Sequence, residues 1–171
     1  MAYLAACTIC VLGVLILPNL GNHLLPSDVA KDVFGSRKRL AAFLSSQQVT
    51  AERLHPKANS DPWLLTSYNQ DAPVPVASSQ FQALKDLLAA QSSYPWGCVN
   101  ACFPNYGVLL TFRTDQRPVQ IAICFECSMI GVFDGENPKH VNRQEAMNIR
   151  NQLLAVVKTI FPKDAEIQSL K

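Results

Sequence analysis

The sequence predicts an α+β domain, an antiparallel sheet of four or five strands with helices packed on one face, preceded by an N-terminal apolar signal or anchor helix. Three observations carry that expectation. Ala2 to Leu17 is an unbroken apolar run ending at Pro18, and the first 27 residues contain no Asp, Glu, Lys or Arg. Tyr106 to Phe125 holds two alternating apolar stretches around a polar turn, the pattern of half-buried strands. Asp28–Leu44, Gln80–Gln91 and Arg143–Phe161 place apolar residues at helical spacing. A chain of 171 residues has room for one domain, placed at residues 28–171, with 1–27 as signal peptide or membrane anchor.

The apolar run fits the core of a signal peptide and is slightly shorter than the ~20 residues of a transmembrane helix. A soluble helix apolar on every side would need packing partners all round, and a chain this small has little to spare. Uncleaved, residues 1–25 would hold the protein to a membrane. Leu4-Ala5-Ala6-Cys7 has the letters of a lipobox but precedes the apolar core, so it is set aside, and Cys7 and Cys10 are passengers of the run. No cation precedes the run, whereas Lys31, Arg37, Lys38 and Arg39 follow it. Taken alone, the positive-inside rule favours a cytoplasmic-facing body on an anchor. Cysteine usage favours export, to the periplasm or cell surface.

In the first helix, Ser27 or Asp28 is placed to cap and Gly35 divides it into two pieces. Val49–Leu54 reads as a strand stopped by His55-Pro56, and Trp63–Tyr68 as a second strand that could pair with it. Gln70–Ser79 is a proline-spaced extended linker. Helix Gln80–Gln91 has a capping box in Ser79 and Gln82, with Phe81, Leu84, Leu87 and Leu88 as its stripe. A four-residue turn at Thr114–Arg117 opposes Phe112 to Val119, Leu110 to Ile121, Val108 to Ile123 and Tyr106 to Phe125, all on one face. That odd-numbered face continues through Cys127, Met129, Gly131 and Phe133, but a straight strand from Val119 to Phe133 would span roughly 50 Å. The chain must therefore bend or turn near Glu126–Ser128. After a polar loop from Asp134 to Val141, the last helix, Arg143–Phe161, has Asn142 and Glu145 as cap and N3 partner and ends at Pro162.

Net charge is +2, and the one dense basic run is Arg37-Lys38-Arg39. Nucleic-acid binders carry longer basic stripes with interleaved aromatics, because each phosphate needs its own cation. The run reads as one solvated helix turn, and nucleic acid is not an expected partner.

Cys98-x3-Cys102 followed by Cys124-x2-Cys127 has the count of a four-thiolate zinc site. On an extended strand, however, Cys124 and Cys127 point to opposite faces with Cα atoms roughly 10 Å apart, and cannot share a metal without a turn. A thioredoxin-like use of Cys124-Phe125-Glu126-Cys127 wants the first thiol at a helix N-terminus, and no helix is expected there. Extending the hairpin brings the Cys102 loop beside the far end of the partner strand. A disulfide from Cys102 or Cys98 to Cys124 or Cys127 is then within reach, the ordinary use of such pairs in exported proteins. His23, His55 and His140 lie in separate loops or flanks, and Glu126 is read as an outward carboxylate. Neither a glycine-rich phosphate loop nor a serine elbow is present.

At Cys102-Phe103-Pro104-Asn105-Tyr106-Gly107 followed by Cys124-Phe125-Glu126-Cys127, the chain resembles a set of uncharacterised bacterial exported proteins. These carry a Cys…Pro-x-aromatic-Gly strand and then a Cys-Phe-x-Cys strand. The likeness covers about the last 70 residues and implies compartment and fold, without an activity. Cys98 lies outside the shared pattern, leaving three cysteines in it. The expectation is therefore a cysteine-stabilised binding or structural domain, more readily non-enzymatic than enzymatic, without cofactor. The alternative is a zinc-binding or thiol-redox protein using Cys102, Cys124 and Cys127, with Cys98 as a fourth metal ligand.

Overall fold

Residues 26–97, 102–115, 117–135 and 140–171 are described by the computed structural model. Among them, seven strands form one antiparallel sheet: β1 (Gln48–Pro56), β2 (Tyr68–Gln70), β3 (Val74–Pro75), β4 (Val108–Arg113), β5 (Val119–Cys124), β6 (Met129–Asp134) and β7 (His140–Glu145). The spatial order is β2-β1-β4-β5-β6-β7, and β3 shares the outer edge of β1 with β2. The class is α+β as expected, with more strands than the predicted four or five. The N-terminal apolar run lies outside the described residues, and no helix among those described is long and apolar enough to cross a membrane.

The first helix divides as its glycine predicts. A π-helical turn at Val29–Val33 is followed by Gly35 at φ +70, a left-handed conformation glycine adopts without a Cβ clash, and then by α1 (Arg37–Ser45). The cap is Ser36, whose Oγ accepts from Arg39 N at 3.1 Å, rather than Ser27 or Asp28. β1 runs on through His55 and Pro56. Those two residues pair only with β2, so an edge-like end tolerates the proline's missing N–H. Trp63 to Ser67 is not a strand. Asp61 Oδ1 accepts from Trp63 N at 3.0 Å and a 3₁₀ turn follows at Leu65–Ser67, so local bonds displace the ladder until Tyr68. The proline linker contributes β3, opposite Thr50 and Ala51. α2 (Ser78–Ala89) begins earlier than predicted. Gln80 Oε1 accepts from Ala77 N at 2.9 Å, and Gln82 instead donates to Asp86.

The β4–β5 register is the predicted one: Phe112 opposes Val119, Leu110 opposes Ile121 and Val108 opposes Ile123. Tyr106 and Phe125 fall outside the ladder, and Tyr106 packs on the opposite face. The expected break comes at Phe125–Ser128, a turn that brings Cys124 opposite Met129 with Ser128 at φ +51. This turn exchanges the faces. Ile130 and Val132, not the odd-numbered residues, join Val108, Leu110, Phe112, Ile121 and Ile123 under the helices. Met129 and Phe133 point the other way with Leu109, Ala122, Cys124 and Cys127. The helices do lie on one face. The other face is also covered, by Leu54, Leu65, Tyr68 and Tyr106 and by the half-buried Trp63 and Cys102.

The segment read as the start of the last helix is β7. It pairs with β6 from Met129↔Glu145 to Gly131↔Arg143, satisfying an edge that would otherwise be open. Asn142 caps no helix; its Nδ2 donates to the carbonyls of Lys31 and Asp32 at 3.0 and 2.6 Å. α3 (Arg150–Ile160) begins only after a 3₁₀ turn at Met147–Ile149. A further short helix, α4 (Ala165–Ser169), was not anticipated; Asp164 Oδ1 caps it by accepting from Ile167 N at 2.8 Å. Asp164 and Glu166 flank the buried guanidinium of Arg53 at 2.7 and 2.8 Å, and Arg53 also donates to Gly107 O. This clamp fixes the C-terminal turn to β1.

Candidate functional site

The chain from Cys102 to Gly107 crosses the second face of the sheet, held at successive points by backbone bonds. Tyr68 Oη donates to Pro104 O at 3.2 Å and receives Tyr106 N at 3.4 Å. Gly107 N donates to Ile123 O at 3.0 Å, continuing the β4–β5 ladder by one step. At its start the segment is joined covalently: Cys102 and Cys127, at a sequence separation of 25, form a disulfide with Cα atoms 6.0 Å apart. The β4–β5 hairpin therefore lies inside a closed covalent ring.

Of the four predicted cysteines, the structure brings three together. Cys98 lies outside the described residues, as do Cys7, Cys10 and His23. Cys124 and Cys127 are not on opposite faces, because the turn at Phe125–Ser128 carries both into the second hydrophobic cluster. Cys124 is the free cysteine among the described residues, and it is buried. Its Sγ accepts from Asn105 N and Cys127 N, each at 3.3 Å. Burial pushes the Cys124 thiol up, and the backbone donors of Cys127 and Asn105 only partly oppose it. A buried thiol held protonated is a poor nucleophile.

In the disulfide form Cys102 and Cys127 have no thiolate to offer, and no group of three or more His, Cys, Asp or Glu among the described residues is placed to hold a metal ion. The four-cysteine set foreseen from spacing includes Cys98, which lies outside the described residues. His55 Nε2 lies 3.2 Å from Asp71 Oδ2 on the exposed end of β1, away from the cysteines, and His140 belongs to β7. Glu126 is exposed in the turn.

Sequence reasoning missed an aromatic surface beside the disulfide. Phe103, adjacent to Cys102, is 73% exposed. Its ring is 6.1 Å from that of Trp63, and the Arg143 guanidinium lies over Trp63 at 4.5 Å. Arg143 reaches that position because it belongs to β7 rather than to a helix. The cue was the order Trp63…Phe103…Arg143, which has meaning only once the strand order is known. Comparison with known protein families, with curated proteins and with solved structures gives no match to this chain.

Proposed function

We propose that this chain is an exported, disulfide-stapled binding domain without catalytic chemistry of its own. The observation that carries the reading is the Cys102–Cys127 bond. It ties a loop to the central hairpin, and such bonds persist in oxidising compartments and are rare in the cytosol. The apolar run before Pro18 supplies the export signal or anchor, with the domain on the periplasmic or cell-surface side, which agrees with the resemblance of the Cys102–Gly107 and Cys124–Cys127 stretches to bacterial exported proteins. A binding role is supported by the aromatic surface at Phe103 and Trp63, beside the disulfide, since few large apolar side chains among the described residues stand as exposed as Phe103. A cysteine nucleophile is disfavoured because the polar contacts of Cys124 are backbone N–H groups.

The test is a topology reporter fused after Lys171, combined with intact-mass alkylation of protein taken from its native compartment. We expect an active periplasmic reporter and a recovered Cys102–Cys127 linked peptide. A reporter active only in the cytoplasm, with Cys102 and Cys127 both alkylated without reductant, would overturn the proposal and return the thiolate alternative.

A further inference from the structure

We propose that the surface around Trp96 and Met147 rests on the lipid bilayer that holds the N-terminal apolar run, at the level of the headgroups. Among the described residues three large apolar side chains stand exposed: Phe103, Trp96 at 37% and Met147 at 55%. Apolar side chains exposed singly are ordinary on a protein surface. Trp96 and Met147, however, belong to one place. Trp96 Nε1 donates to Gln91 O at 3.0 Å, and Asn148, next to Met147, donates through Nδ2 to Ser92 O at 2.9 Å. Gln91 and Ser92 lie in a single 3₁₀ turn, Gln91–Ser93, so that turn holds Trp96 directly and Met147 through its neighbour.

The same turn receives the N-terminal end of the body. Gln91 Nε2 donates to Asp28 Oδ2 at 3.0 Å, and Ala30 N donates to Pro26 O at 3.0 Å. Residues 18–25 separate Pro26 from Leu17, the end of the apolar run, and fully extended they reach about 30 Å. A body tethered in this way turns the root of its tether toward the membrane, and two of the three exposed apolar side chains stand at that root. Their chemistry suits the interface rather than the hydrocarbon interior. Tryptophan is enriched at headgroup level, and the indole N–H of Trp96 is already satisfied, so its ring is offered to lipid without an unpaired donor. Residues 91–97 and 146–149 contain no Asp, Glu, Lys or Arg that would lose hydration there. Asp28, whose carboxylate accepts from the turn, is exposed and keeps to the wet headgroup layer. This inference rests on the reading of the run as an anchor and not on which side of the membrane the body lies, so a cytoplasmic reporter leaves it standing.

The full chain, reconstituted in vesicles of phosphatidylethanolamine and phosphatidylglycerol, tests it through its two tryptophans, Trp63 and Trp96. Flotation of the vesicles in alkaline carbonate reads the anchor by itself. Vesicles containing lipid brominated in the upper acyl chain then quench any indole that lies at the interface. We expect the protein to float, and upper-chain bromine to quench its emission more than bromine placed deep in the chain. Trp96→Phe should abolish most of that quenching without changing flotation, and Trp63→Phe should retain it. A chain that does not float overturns the inference together with the anchor reading. A chain that floats but is not quenched, or is quenched as strongly after Trp96→Phe, overturns the inference alone. Each substitution keeps an aromatic ring, and circular dichroism checks the fold. Should one variant fail to fold, the other supplies the same comparison with the wild type.

Discussion

Replacing both ends of the staple, as Cys102→Ser with Cys127→Ser, removes the covalent ring and leaves the sheet hydrogen bonds in place. In the chain-entropy treatment, a closed loop of 25 residues restricts the unfolded chain by about 12 cal/mol/K, or about 3.5 kcal/mol at room temperature. At the 2–4 °C per kcal/mol typical of domains this size, the melting temperature should fall by roughly 7–14 °C. The ring encloses the β4–β5 hairpin, and any hairpin surviving in the unfolded ensemble would bring the result toward the lower end. Thermal unfolding followed by circular dichroism measures the change. A strong reductant on the wild type should give the same shift, with thiol release confirmed by mass, and a chelator should give none. A double variant melting within about 2 °C of the wild type would refute the reasoning, as would a chelator that lowers the transition while reductant does nothing.

Ile121→Asp and Leu109→Asp should both unfold the domain, because the two residues are fully buried in clusters on opposite faces; Thr111→Asp, half-buried, should be mild, as read by denaturant titration. Gly131 passes directly under Tyr106, where an added Cβ would collide with Oη and stand 2.9 Å from Cζ; Gly131→Ala should therefore cost about 2 kcal/mol, and Tyr106→Phe should recover only part of that loss. Tyr106→Phe alone should be neutral or stabilising by about 1 kcal/mol, because the buried Tyr106 Oη has no hydrogen-bond partner among the described residues. Burial pushes the Asp164 carboxyl up, but the Ile167 N–H and the Arg53 guanidinium outweigh it and hold it below the usual carboxylate value. A depressed folded-state value contributes stability above the unfolded value near pH 4 and loses it as pH falls through the folded one. Asp164→Ala should flatten that acid limb and cost about 2 kcal/mol at neutral pH; an acid limb of unchanged steepness would count against the clamp.

The β4–β5 register was legible because strand alternation has a period of two and Thr114–Arg117 announces the turn; a slip of one residue would have exposed every apolar pair. The second reversal, at Phe125–Ser128, was legible only as a necessity of length. It has no glycine, proline or asparagine, and Ser128 takes the left-handed position usually advertised by one. That silence hid the exchange of faces, and with it the fact that Cys124 and Cys127 share a cluster. β7 was misread because Asn142 and Glu145 imitate a helix cap, whereas the decisive fact, an unpaired edge on β6, is not local. The Cys102–Cys127 pair could be narrowed to a few partners from the hairpin, but choosing Cys127 over Cys124 required the turn. The aromatic surface joins Trp63, Phe103 and Arg143 from segments distant along the chain, and no local pattern connects them.

The clamp on Arg53 sets an order of events for the chain. The guanidinium leaves the ribosome more than a hundred residues before the two carboxylates that neutralise it, at separations of 111 and 113. Until Asp164 and Glu166 reach it, β1 can be enclosed only by burying that guanidinium with no carboxylate beside it, so completion of the native sheet waits on contacts between segments far apart along the chain. The same dependence ties β1 to Asp164 and Glu166, although most side chains of residues 164–171 face solvent.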